Sequence, residues 1–473
     1  MAPPDGRPGV PLMSARTNED GTARRRVLRT AACAAALAVA LTSGAVALGA
    51  RGERAVSTRS APGVSAELLA GGDLGADVAA LQTQLRDQPR DHASWAVLGL
   101  AYVEQARTEG DPSRYPQAER ALARSLELRP GNDPALAGRA ALAAARHDFP
   151  GALRDADRAL EQNPYSERAL ATRIDALVEL GRYADAARAA DVADARRPGI
   201  PVFTRYAYVR ELRGDTRTAE RVLRQALGSA TGRGDLAYVA TQLGQLAWRQ
   251  GDAEGALAHY ARALAADDAY VPALEGRARA QAAGGDRAGA IRTLEALVAR
   301  HPLPGPLVAL GELYEARGDR GAAHAQYALV EAWTSLARAH GVDADLDTAL
   351  AAADHGDRAA ALRAARAEWG RRHTVHTADA LAWALYVNGR AGEALPYARR
   401  ATATGYPDAA FLYHRGMIER ATGDRSGARR SLAAALDLNP GFSPLGADRA
   451  RAALKELEEL EELEELKEQE ATG

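Results

Sequence analysis

The stretch Asp343-Ala344-Asp345-Leu346-Asp347, with Asp354 at its twelfth position, spaces carboxylates as a calcium loop does. Its sixth position is Thr348 instead of the turn-forming glycine, and its last is Asp instead of a bidentate Glu. Helical periodicity also begins within the stretch, so it reads better as an acidic helix N-terminus. Four histidines, His340, His355, His373 and His376, lie within 37 residues, but they fall near inter-helix turns, where solvation accounts for them. Arg-Gly-Asp occurs at Arg213, Arg233 and Arg317; two of these are a recurring Gly-Asp turn that happens to follow an arginine. No GxSxG or HExxH is present, nor any set of nucleophile, base and orienter with defensible spacing.

Composition removes further chemistry. Lys455 and Lys467 are the sole lysines, so a phosphate-loop GxxxxGK and a Schiff-base lysine are excluded from the body of the chain. Cys33 is the sole cysteine, which excludes internal disulfides and zinc sites built on several cysteines. We expect no catalytic residues, no metal and no cofactor. Apolar residues make up 47% and charged residues 26% of the chain, as in a folded rather than a disordered protein.

The first 75 residues read as targeting and tether. Residues 1–29 are basic, with Arg24, Arg25, Arg26 and Arg29 close together, and residues 30–50 carry no charge. This pattern predicts a secretory signal, or a single transmembrane anchor, since about 20 apolar residues span a bilayer. Arg24-Arg25-Arg26-Val27-Leu28-Arg29 partly matches a twin-arginine signal, with Ala23 where Ser or Thr is expected. Either reading places the bulk of the chain outside the cytoplasm, secreted or membrane-associated through residues 30–50. Residues 51–75, rich in Ser, Gly and Pro, read as a flexible linker.

The rest of the chain is periodic. Alanines recur at Ala118, Ala152, Ala186, Ala219, Ala256, Ala290, Ala323, Ala361, Ala394 and Ala428, at steps near 34 residues. Five places before each stands Gly in most units (Gly181, Gly214, Gly251, Gly285, Gly318, Gly356, Gly389, Gly423). Asp usually follows (Asp148, Asp215, Asp252, Asp286, Asp319, Asp357, Asp424). Gly ends one helix in the left-handed conformation, and Asp caps the next. The alanine permits close helix approach, and a large residue four places later (Leu223, Tyr260, Leu294, Tyr327, Leu432) fills the gap between units.

A unit of this length, with Trp95, Leu98, Gly99 and Tyr102 in its first helix and a closing proline such as Pro130, resembles the tetratricopeptide repeat. The resemblance implies an all-α, right-handed α-solenoid of about ten helix-turn-helix repeats over residues 76–445, each touching only its neighbours. Residues 446–473 would form a capping helix and acidic tail. That tail carries nine Glu and two Lys from Lys455 on, and residues 1–60 carry nine Arg against four acids. With a net charge of −2, the repeats are near neutral, which argues against nucleic acid as a partner.

The resemblance further implies a non-catalytic scaffold whose first helices line a concave groove for a protein or peptide. Its groove-facing residues would be Asp175, Tyr208, Gln245, Trp248, Arg279, Glu312, Glu315, Trp383, Tyr386, Met417 and Arg420. The alternative is an assembly factor of the cell envelope that oligomerises through its convex face or acidic tail. The sequence leaves the partner's identity and the oligomeric state open.

Overall fold

A computed structural model describes residues 74–109, 112–339 and 345–472. The segments expected to hold the signal or anchor, 1–29 and 30–50, and nearly all of the expected linker lie outside them. So do Asp343, Ala344 and His340. Among the described residues the chain is all-α, with no strand.

Ten antiparallel helix pairs follow one another. They are α2 (His92–Glu109) with α3 (Tyr115–Leu128), α4 (Asp133–Ala145) with α5 (Phe149–Gln162), and α6 (Glu167–Glu179) with α7 (Tyr183–Arg196). Next come α8 (Ile200–Glu211) with α9 (Thr216–Ser229), α10 (Arg233–Arg249) with α11 (Ala253–Ala266), and α12 (Val271–Ala283) with α13 (Arg287–Val298). The last are α14 (Pro304–Ala316) with α15 (Arg320–Ala339), α16 (Asp345–His355) with α17 (Arg358–Arg371), α18 (Val375–Val387) with α19 (Ala391–Thr402), and α20 (Ala409–Ala421) with α21 (Arg425–Leu438). Helix α1 (Leu74–Asp87) covers the first pair and α22 (Gly446–Thr472) the last. Asp345–His355 is helical, as the acidic-N-terminus reading requires.

The recurring residues act as expected. All ten phased alanines are 3% exposed or less. Each of the seven aspartates accepts a backbone N–H of the next helix; Asp252, for example, accepts from Gly255 at 2.8 Å. Seven of the eight glycines have positive φ, Gly356 being the exception, and His147 takes the left-handed position in one of the two units that have no glycine there. Tyr260 shows why the small first-helix residue is needed. A Cβ on Gly244 would stand 2.7 Å from its ring, and one on Gly276 of the next unit 2.3 Å from it. Leu122 fits between Gly99 and Gly138 in the same way.

The winding departs from the expectation that each unit touches only its neighbours. Asn439 Nδ2 donates to the Trp248 carbonyl (2.7 Å), the Val375 N–H to the Tyr183 hydroxyl (2.8 Å) and Arg372 to Glu179 (3.2 Å). These partners are 191 to 193 residues apart. One apolar cluster joins Leu170, Ile174 and Val209 to Val375, Tyr406 and Phe411. Three turn glycines meet backbone of the later pairs. A Cβ at Gly181 would lie 2.3 Å from the His373 carbonyl oxygen, at Gly214 2.9 Å from that of Gly405, and at Gly251 2.4 Å from that of Leu438. The later pairs thus lie against the turns of the earlier ones. A one-dimensional stack becomes a coil with contacts between its turns.

Candidate functional site

The residues expected to bind fall into three groups in the coil. Asp175 and Tyr208 lie where the two turns of the coil approach. Asp175 holds Arg205 through two bonds of 2.8 Å. Tyr208 is 37% exposed, and burial first, then the neighbouring Tyr406 and Glu179, pushes its hydroxyl pKa well above the usual value. Beside it Arg249 clasps Glu211 (2.5 and 2.8 Å), and its guanidinium stands 5.9 Å from the Tyr406 ring.

The second group is packed away. Trp383 is 3% exposed, donates its indole N–H to Asp354 (2.8 Å) and stacks on His414 at 4.1 Å. Tyr386 stacks on Trp383 in turn, 4.9 Å between centroids. Trp383 is therefore core and not an open groove residue. The expectation that Trp383 faces an open groove fails because α20 brings His414 and Tyr413 against it. Met417 is half-buried against the same core, and Arg420 pairs with Glu456 of the capping helix.

The third group makes a cavity. Trp248 on α10, Arg279 on α12 and Glu312 on α14 line one space of about 240 Å³. Its far wall is the segment Pro440–Pro444 with Ala447, Asp448 and Arg451 of α22. The Arg279 guanidinium lies 5.2 Å from the centre of the Trp248 ring. Glu312 faces His355 Nε2 at 3.4 Å and accepts from the Ser443 hydroxyl at 3.5 Å. Glu315, next on α14, accepts from the Tyr327 hydroxyl (3.0 Å) and lies 4.0 Å from Arg449. Gln245 is half-buried one turn before Trp248. Sequence reasoning missed the wall at 440–451. Its Pro-Gly-Phe-Ser-Pro composition marks a rigid turn, but nothing in it points to helices some 190 residues earlier.

The Glu312 carboxylate stands between Ser443 and His355, whereas a hydrolase relay places the imidazole between hydroxyl and carboxylate. His355 also stacks on Tyr327 at 4.0 Å. Among the described residues no group of three or more His, Cys, Asp or Glu is arranged to hold a metal ion. His376 is half-buried, and burial, then Arg249 and Arg372, lowers its pKa to about 4.

No family model matches the chain, and no curated protein matches it. Among solved structures it is similar to human IFIT1 in a dimer with m7Gppp-AAAA, at 16% identity and a TM-score of 0.45 over 69% of this chain and 76% of that one. Pseudomonas aeruginosa PilF gives 21% and 0.36 over 46% and 94%. A tetratricopeptide repeat protein from Parabacteroides merdae gives 19% and 0.32 over 55% and 98%. By its period, its phased alanines and its stacked helix pairs, the chain has a tetratricopeptide-like α-solenoid fold.

Proposed function

We propose that this protein is a non-catalytic scaffold that acts outside the cytoplasm and holds a segment of a partner protein in the cavity of Trp248, Arg279 and Glu312. The observation that carries the reading is the cavity itself. Three inner helices and a distant loop close round it, and it combines apolar wall with charged groups, as recognition sites do. A nucleic acid is the less supported ligand, because the arginines near the contact between turns are held by carboxylates: Arg205 by Asp175, Arg249 by Glu211 and Arg372 by Glu179.

Filling the cavity tests the proposal. Ala282→Trp should keep the melting temperature and abolish capture of the partner from an envelope or secreted fraction. Equal capture by parent and variant at equal stability would place the site elsewhere. Among the described residues no helix is long and apolar enough to cross a membrane, so export rests on the sequence of residues 24–50. A C-terminal reporter active only outside the cytoplasm checks it, and exchange of Arg24 and Arg25 for Lys identifies the twin-arginine route. A silent reporter would end the extracytoplasmic reading.

A second reading has its own observation. Leu460, Leu463 and Leu466 on α22 are 42 to 56% exposed, while Glu456, Glu461 and Glu464 are turned to Arg420, Arg429 and Arg425. These leucines suit an assembly role for the tail. Concentration-dependent mass in light scattering, lost in a Leu463→Glu variant, would favour it.

A further inference from the structure

We infer that the end of α22 docks on α17 and α19 of a second copy of this chain, so that copies join head to tail; this rests on the reading of the tail as an assembly element. The leucines of the tail set the geometry. Three residues turn an α-helix by about 300°, so each leucine lies about 60° round from the one before. Leu457, packed in the core of the last pair, is 2% exposed, and Leu460, Leu463 and Leu466 rise to 42%, 52% and 56%. The stripe thus winds off the protein and reaches solvent by Leu463 and Leu466. Glu464 pairs with Arg425, the first residue of α21, so residues 465–472 run past that helix by about 12 Å at ~1.5 Å per residue. Charge decides what the stripe meets. Glu458 and Glu462 are exposed on the same stretch and form no ion pair among the described residues. Two such tails laid leucine to leucine would set these carboxylates against one another, and like charges across an interface are unfavourable. The complement is a basic surface.

Helices α17 and α19 supply it. Arg366 on α17 and Arg399 on α19 are exposed and have no ion pair or side-chain hydrogen bond among the described residues. Arg400 stands 5.0 Å from the centre of the Trp369 ring and likewise holds no carboxylate there. Glu393, the one exposed carboxylate on these two helices, is held by Arg390 through two bonds of 2.6 Å, and Glu368 is buried. Trp369 and Tyr397, half-buried with ring centroids 5.3 Å apart, join the two helices and offer apolar edges to leucines. The chain already pairs its tail with arginines in this manner, for Glu456, Glu461 and Glu464 meet Arg420, Arg429 and Arg425 of α20 and α21. The tail of a second copy repeats the pairing on arginines left free. Because the two surfaces differ, the interface is heterologous, and such contacts build rings or open filaments rather than a closed pair.

Sedimentation equilibrium of the full chain over a range of concentrations tests this. The parent should grow past the dimer as concentration rises. Raising the salt from about 0.1 M to about 1 M, which cuts the screening length from ~10 Å to ~3 Å, should reverse the growth. Arg366→Glu with Arg399→Glu, and separately Glu458→Arg with Glu462→Arg, should each need about tenfold higher concentration or more to associate. An equal mixture of the two variants should associate again, since the acidic tail of one meets the intact arginines of the other and the reversed charges also match. All four positions are exposed, and circular dichroism checks that the variants fold. Arg399→Gln, a milder change, replaces the arginine pair if that variant unfolds. If the arginine variant associates as well as the parent while Leu463→Glu does not, the tails pair with each other; the inference falls and the assembly reading stands. Folded variants that stay apart when mixed also overturn the inference. A parent that stays monomeric at every concentration overturns both.

Discussion

Arg372 reaches the carboxylate of Glu179 at 3.2 Å although 193 residues separate them. Arg372 also pairs with Glu368, and the His373 N–H donates to the Glu179 carbonyl oxygen at 3.3 Å. Side chain and backbone thus join α6 to the loop between α17 and α18. A coil held in this way should unfold more cooperatively than a linear array, in which each unit answers only to its neighbours.

The pH dependence of this clasp has a definite sign. Burial first, opposed by Arg372 and reinforced by Asp175 and Glu368, raises the Glu179 pKa to about 7. For an acid with a raised folded pKa, the protonated form favours the fold. Its contribution is complete below the ordinary value of 4.5 and is lost as pH rises through about 7. Urea midpoints of the parent should therefore fall between about pH 5 and pH 7.5 more than those of Glu179→Gln. Parallel pH profiles would show that Glu179 is not the titrating group.

Two glycine variants isolate the contact between turns. Gly285 (φ +94°) has nothing among the described residues within 4 Å of an added Cβ, so Gly285→Ala should lose only the left-handed preference, about 1–2 kcal/mol. Gly251 (φ +80°) faces the Leu438 carbonyl at 2.4 Å, so Gly251→Ala adds overpacking of about 1–3 kcal/mol. Gly251→Ala should also enlarge the radius of gyration in solution scattering, and Gly285→Ala should leave it unchanged.

Ala290 is fully buried at the close contact of α12 with α13. Ala290→Leu should destabilise by about 1–3 kcal/mol in denaturant unfolding. An unchanged midpoint would contradict the tight packing that the phased alanines imply.

The two inner tryptophans should separate in a melting experiment. Trp383→Ala removes a core ring and the partner of Asp354, so it should destabilise by about 3–5 kcal/mol. Trp248 is half-buried and its indole N–H has no partner among the described residues, so Trp248→Ala should lose roughly 1–2 kcal/mol. Its larger effect should fall on partner capture. Equal destabilisation by the two would make Trp248 core as well.

The sequence by itself determined the repeat: its period, the aspartate caps, the left-handed glycines and the buried alanines. Each of these is a local requirement that a residue meets within its own helix pair, so periodicity reports it directly. Counting along one helix fixes the side a residue occupies, and Trp248, Arg279 and Glu312, chosen in that way, line one cavity. The tertiary structure decided which inner residues stay open and which become core. Trp383 and Trp248 hold similar inner positions, but α20 brings His414 onto the first, and the second meets the loop after Asn439. It also decided that Gly181, Gly214 and Gly251 bear a contact that Gly285 and Gly318 do not. These differences arise from the pitch of the whole coil, the sum of small rotations at every unit interface. No single 34-residue stretch encodes that sum, and so no stretch could announce it.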